Sequence, residues 1–138
     1  MHPRYAVIDL RPWCARVIRG LGVDIVEVDR VRRAVTRWGE PFLYRIFTPR
    51  EIALGVSRAG AEHFAGRFAA KEAVMKALGA GRVGVGWQEI EITTDASGKP
   101  GVHLSGRAAE MADRLGVRSW QLAISHSRLV AIAHALAQ

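Results

Sequence analysis

The sequence predicts an α+β protein: a small antiparallel sheet with helices packed against it. Three observations predict this class. Runs rich in β-branched residues lie near both ends of the chain, a long helical stretch lies at its centre, and clusters of Gly, Pro, Asp and Ser punctuate short segments between them. A length of 138 residues with 49% hydrophobic content suits one domain with its own core.

The elements follow in order. Gly20–Val28 alternates loosely and reads as a strand with one acid, Asp24, at its middle. Asp29–Trp38 reads as a helix whose apolar stripe is Val31, Ala34, Val35 and Trp38, stopped by Gly39 and Pro41. Thr48-Pro49-Arg50-Glu51 is a helix start: Thr48 caps, Pro49 suits the first turn, and Glu51 closes a capping box. Ala61–Leu78 is the strongest helix, with Gly79 as its stop and a glycine-rich connection, Gly79–Gly86, behind it. Glu89–Thr94 and Gly101–Leu104 read as strands joined by a turn at residues 95–100. Ser105–Leu115 reads as a helix capped by Ser105 and stopped by Gly116. Arg118–Ser125 and Leu129–Leu136 read as a closing hairpin, in which His134 shares the parity of Val130, Ile132 and Leu136 and is expected to pack with them.

Charge is concentrated. Residues 30–50 hold six arginines against one acid, +5 of the net +7. Such a patch favours an anionic partner, and nucleic acid, anionic lipid and an acidic protein all fit it on charge alone. No apolar run approaches the ~20 residues of a membrane span. In residues 1–19, Asp9, Arg11 and Pro12 interrupt the apolar run that a secretory signal needs, and Cys14 is the single cysteine. The expected location is therefore cytoplasmic, without a disulfide framework.

The central helix carries the candidate chemistry. Phe64, Phe68, Met75 and Leu78 form one stripe, and Lys71 falls inside it, where its ammonium needs a partner or an escape to solvent. Glu72 and Lys76 lie one turn apart at the edge of that stripe. Read blandly they are an ordinary i, i+4 ion pair worth a few tenths of a kcal/mol. Asp24, flanked by Val23, Ile25 and Val26, also needs a cation, a donor or water. Asp24 and Glu72 together would make a minimal hard-cation site. Ser125-His126-Ser127 reads either as a polar turn or as a phosphate-binding histidine between hydroxyls. No Cys/His spacing indicates zinc, and the glycine run follows a helix rather than a strand, the wrong order for a P-loop.

These segments, in this order, resemble the holo-[acyl-carrier-protein] synthase family of 4′-phosphopantetheinyl transferases. The resemblance rests on Gly22-Val23-Asp24-Ile25-Val26-Glu27-Val28, Phe47-Thr48-Pro49-Arg50-Glu51, the helix from Phe64 to Gly79, Ile90-Glu91-Ile92 with Gly98-Lys99-Pro100, and Ile124-Ser125-His126-Ser127. It runs from about Gly20 to the C-terminus, which leaves residues 1–19 as an extension of unknown role and 20–138 as the transferase domain.

The resemblance implies transfer of 4′-phosphopantetheine from coenzyme A to a serine of apo acyl carrier protein, with release of 3′,5′-ADP, in fatty-acid biosynthesis. It implies Mg²⁺ on Asp24 and Glu72, with Lys76 as a third catalytic group on the phosphates. Arg67, Lys71 and His126 would bind coenzyme A phosphates, Gly79 and Gly81 would line the cleft, and Arg30, Arg33, Arg37 and Arg45 would face the acidic carrier. Glu72, or a metal-bound water, would accept the serine proton. It also implies a homotrimer with active sites between subunits. Two rival readings are weaker. A nucleic-acid-binding module explains the arginines but not Asp24 or the Glu72–Lys76 pair, and it lacks interleaved aromatics. A silent coenzyme A binder leaves the retained Asp24, Glu72 and Lys76 without a use.

Overall fold

The computed structural model describes residues 17–58, 60–81 and 84–138. The expected extension therefore lies largely outside the described residues. The order of elements is β1 (Gly20–Glu27), α1 (Val28–Trp38), α2 (Glu40–Ile46), α3 (Pro49–Ser57), α4 (Ala61–Leu78), a 3₁₀ turn (Trp87–Glu89), β2 (Ile90–Thr94), β3 (Pro100–Leu104), α5 (Gly106–Arg114), β4 (Trp120–His126) and β5 (Val130–Ala137). The α+β class holds, with two antiparallel sheets: β1-β5-β4 and the hairpin β2-β3.

Helix α4 is the centre of the molecule. It lies across the inner face of the three-stranded sheet, and thirteen of its eighteen residues are buried. The contact is close because both surfaces are nearly bare of side chains. Ala131, Ala133, Ala135 and Ala137 of β5 are wholly buried, as are Ala65, Ala69, Ala70 and Ala73 of α4. On β1, a Cβ on Gly20 would lie 2.0 Å from Ala77 O, and one on Gly22 would lie 1.8 Å from Ala73 O. Gly20 on Ala77 and Gly22 on Ala73 also fix direction: β1 ascends as α4 descends. Asp24, the next inward position, therefore arrives level with the turn that carries Glu72.

Local chemistry accounts for most boundaries. Gly79 ends α4 in the left-handed region (φ 69°), with its N–H on Lys76 O and the Ala80 N–H on Met75 O. In the β2–β3 turn, Asp95 Oδ1 accepts from the Ser97 and Lys99 N–H groups at 2.8 and 3.0 Å. Ser127 Oγ accepts from Leu129 N and Val130 N in the last turn.

Helix α1 ends at Trp38 with Gly39 as its cap, as expected, and Pro41 opens a further helix, α2, in whose first turn its missing N–H costs nothing. Three expectations are corrected. Thr48 Oγ1 does accept from Glu51 N at 3.4 Å, but the Glu51 carboxylate turns inward, so the capping box is half formed. Ser105 makes no side-chain cap; Glu89 Oε2 accepts from Ala108 N at 3.3 Å instead. His134 is exposed, because the parity of Val130, Ile132 and Leu136 belongs to the outer face and the alanine parity belongs to the core. That outer face is apolar, with Leu21 66%, Val23 47% and Ile25 63% exposed.

Gly22→Ala should prevent α4 from seating on β1, because the new methyl meets backbone rather than a movable side chain. The expected loss is at least about 3 kcal/mol in urea denaturation; wild-type stability would contradict this packing.

Candidate active site

A cavity of about 320 Å³ opens between β1, α1 and α4, lined by Asp24, Ile25, Val26, Arg30, Phe68, Glu72, Met75, Lys76 and Gly81. Each charged group arrives for a structural reason. Asp24 is on the inward parity of β1, and its side chain is mostly covered. Glu72 is on the buried surface of α4. Lys76 stands one turn later, where its stem crosses the rim of β1. Its Nζ donates to Asp24 Oδ1 and to Val23 O, both at 3.0 Å. Arg30 projects from the first turn of α1 and also lines an adjoining groove of about 430 Å³ with Glu27 and Val130.

The cleft thus holds two carboxylates and two cations beside the aromatic ring of Phe68. Carboxylate oxygens from two different elements can share a hard cation, and the two cationic side chains can meet anionic oxygen. Among the described residues no group of three or more His, Cys, Asp or Glu gathers. The donor set therefore suits an ion that keeps waters and takes substrate oxygens.

The other expected site residues fall elsewhere. Arg67 and His126 both lie near His63, in the first half of α4. Arg67 is half-buried and donates to Thr94 Oγ1, and its Nε is buried without a hydrogen-bond partner. Arg67, Arg58 and His126 all act electrostatically on His63, which is itself buried with Nε2 unpartnered. Arg67 is nine positions before Lys76, about 13 Å along the axis, and five before Glu72, about 7.5 Å. Gly81 reaches the cleft, whereas Gly79 is the helix cap.

Lys71 is corrected. It was expected to contact coenzyme A phosphates, but its side chain is 0% exposed and Nζ lies 2.8 Å from Glu51 Oε1. It also donates to Trp87 O at 3.0 Å and to Ile90 O. Its three ammonium donors are spent inside the protein. Burial pushes the Glu51 carboxyl up and the Lys71 ammonium down, each opposed by the other's charge. Sequence reasoning marked Lys71 as needing a partner but assigned Glu51 to a cap, and it singled out neither Trp87 nor the position of Arg30 in the cleft.

On the basic surface, Arg32 and Arg33 share Asp29 at 3.4 Å, and Arg37 stacks over Trp38 at 4.8 Å. Arg45 is exposed at the end of α2.

The profile of the 4′-phosphopantetheinyl transferase superfamily matches residues 20–132. A holo-[acyl-carrier-protein] synthase of Solibacter usitatus is 47% identical over 122 residues, which cover 87% of this chain and 98% of that one. The crystal structure of the holo-[acyl-carrier-protein] synthase of Neisseria meningitidis superposes with a TM-score of 0.79 at 35% identity, covering 88% of this chain and 99% of that one. That of Helicobacter pylori, in complex with coenzyme A, gives 0.75 at 33% identity, covering 86% and 99%.

His63 generates a pH prediction. Burial first, then the charges of Arg67, Arg58 and His126, hold it down to about 4, against 6.5 unperturbed. The unfolded chain therefore takes the proton first. Stability present above pH 6.5 is lost as pH falls toward 4. Urea denaturation across that window should show a shallower decline for His63→Leu than for wild type; equal slopes would refute the assignment.

Proposed function

The chain belongs to the 4′-phosphopantetheinyl transferase superfamily and, within it, to the holo-[acyl-carrier-protein] synthases, and from that premise we propose how it moves the phosphopantetheine arm of coenzyme A onto a serine of apo acyl carrier protein. The observation that carries the reading is the meeting of Asp24, Glu72 and Lys76 in one cleft, with Lys76 Nζ 3.0 Å from Asp24 Oδ1.

Asp24 and Glu72 are the proposed Mg²⁺ holders, and their hard oxygens fit an ion often bound by one or two protein carboxylates. When bound, the ion would supply Lewis acidity and a template for the pyrophosphate. The serine Oγ attacks the phosphorus bearing pantetheine, the bond from that phosphorus to the bridging oxygen breaks, and 3′,5′-ADP leaves with the electron pair. Transfers of this kind rest mainly on positioning and charge stabilisation. Lys76 offers its ammonium to the developing negative charge, and Glu72 takes the serine proton. Gly81, and Gly79 behind it, let backbone approach the substrate.

Arg67 and His126 are proposed to hold a coenzyme A phosphate. The buried, unpartnered Arg67 Nε supports this. They lie outside the lining of the Asp24 cleft, and the proposed homotrimer would bring them to a neighbour's cleft. The apolar outer face of β1 and β5 supports such an association. Arg30, Arg33, Arg37 and Arg45 are the proposed docking face for the acidic carrier, with Arg30 joining that face to the cleft. We assign the reaction to the cytoplasm and to fatty-acid synthesis; among the described residues no helix is long and apolar enough to cross a membrane.

Intact-mass spectrometry of apo acyl carrier protein incubated with enzyme and coenzyme A tests the reading. A gain of the phosphopantetheine mass with Mg²⁺, lost in EDTA, is expected. Asp24→Ala and Glu72→Ala should each cut turnover by about a hundredfold or more while Tm stays near wild type. Wild-type turnover in either variant would remove the metal site.

Reversing Arg33 and Arg37, which lie outside the cleft lining, to Glu should raise KM for the carrier by about tenfold or more and leave KM for coenzyme A within about twofold. Equal effects on both substrates would remove the docking face.

A further inference from the structure

Phe68 lines the cleft beside Glu72, and its ring is backed by Trp87, with centroids 5.1 Å apart and planes inclined by 27°. Trp87 opens the 3₁₀ turn that leads into β2. Helix α4 grips it twice. Phe68 takes the ring, and Lys71, three residues on along the same face, takes the carbonyl. Lys71 has no other freedom: its three donors meet Glu51 Oε1, Trp87 O and Ile90 O.

Stability alone does not account for this arrangement. A buried ion pair costs several kcal/mol per ion in desolvation, and well-packed uncharged residues often serve a core as well or better. What Lys71 supplies and an apolar side chain cannot is a directed hold on two carbonyls of one turn. Glu51 in turn fixes the ammonium from α3 while its Oε1 accepts from Ile92 N at 3.0 Å.

We propose that Lys71, Glu51 and Trp87 are positioning residues for coenzyme A: the buried pair fixes Trp87 through its carbonyl, and the Trp87 ring fixes Phe68 as the apolar wall of the cleft. That wall would take the uncharged part of coenzyme A adjoining the pyrophosphate. The inference rests on the reading of the cleft as the coenzyme A site.

The test uses the full chain and three variants: Trp87→Ala, Trp87→Phe and the double variant Lys71→Met/Glu51→Gln. Steady-state kinetics with coenzyme A and apo carrier are paired with calorimetric binding of coenzyme A and with Tm. Trp87→Ala and the double variant should raise KM and Kd for coenzyme A about threefold to tenfold, the range an aromatic pair supports. Their kcat and carrier KM should stay within about twofold. Trp87→Phe, which keeps a ring on Phe68, should recover most of the affinity. The double variant removes both charges together, so its Tm should remain near wild type. Unchanged coenzyme A affinity in Trp87→Ala and the double variant would overturn the positioning role. So would losses spread evenly over kcat and both KM values in step with Tm. If the double variant does not fold, the comparison of Trp87→Ala with Trp87→Phe decides alone. If wild type neither binds nor consumes coenzyme A, the cleft reading falls and the inference with it.

Discussion

The structure depends on how closely α4 approaches β1 and β5. Glycine at positions 20 and 22 and alanine on the facing strand and helix let backbone meet backbone. That contact leaves no room for slippage. A shift of one residue on β1 would turn Leu21 and Val23 inward against the Ala73–Ala77 stretch, and the inward carboxylate of Asp24 would turn out. The packing register is therefore also the register of the cleft. Asp24 faces Glu72 and Lys76 because Gly22 faces Ala73.

A helix enclosed on most sides must satisfy its polar side chains inside the protein, and α4 does so in two ways. At Lys71 the ammonium is consumed by Glu51 and two carbonyls, which ties α3 and the start of β2 to the helix. At Lys76, one turn and a half later, the side chain escapes to the rim, and its ammonium stays half-exposed on Asp24. The same residue type is thus a fastening in one position and a half-exposed ammonium at the rim of the cleft in the other. The difference is burial: the first lysine has no donors left to offer, while the second remains open to solvent.

Much of this was legible in the sequence, for identifiable reasons. Strands, the central helix and its Gly79 stop carry strong local signals, and Asp24 and Lys71 stood out as charged groups in apolar company, whereas Glu72 and Lys76 drew their role from the family resemblance. What failed were inferences in which local chemistry offered two uses for one residue. Pro41 does follow the end of one helix, but the helix that it opens was not foreseen, since its signal lies in the packing of Leu43 and Ile46 into the core. Glu51 can close a capping box or turn inward, and the buried Lys71 ammonium decides it from twenty residues away. His134 shared the parity of large apolar residues, yet the core of β5 is built from alanines, since only small side chains fit beneath α4. Hydrophobic size pointed to the wrong face because the tightest contact in the fold is also the least bulky.

That inversion bears on assembly. A sheet whose inner face is alanine and glycine keeps its larger apolar side chains for the outer one. Leu21, Val23 and Ile25 stand exposed there beside Ile132 and Leu136. In a chain of 138 residues such a face is costly to leave in water. The proposed trimer would answer that constraint by covering the outer face. The small residues that let α4 sit deep in its own sheet are thus what leaves the bulk on the outer surface.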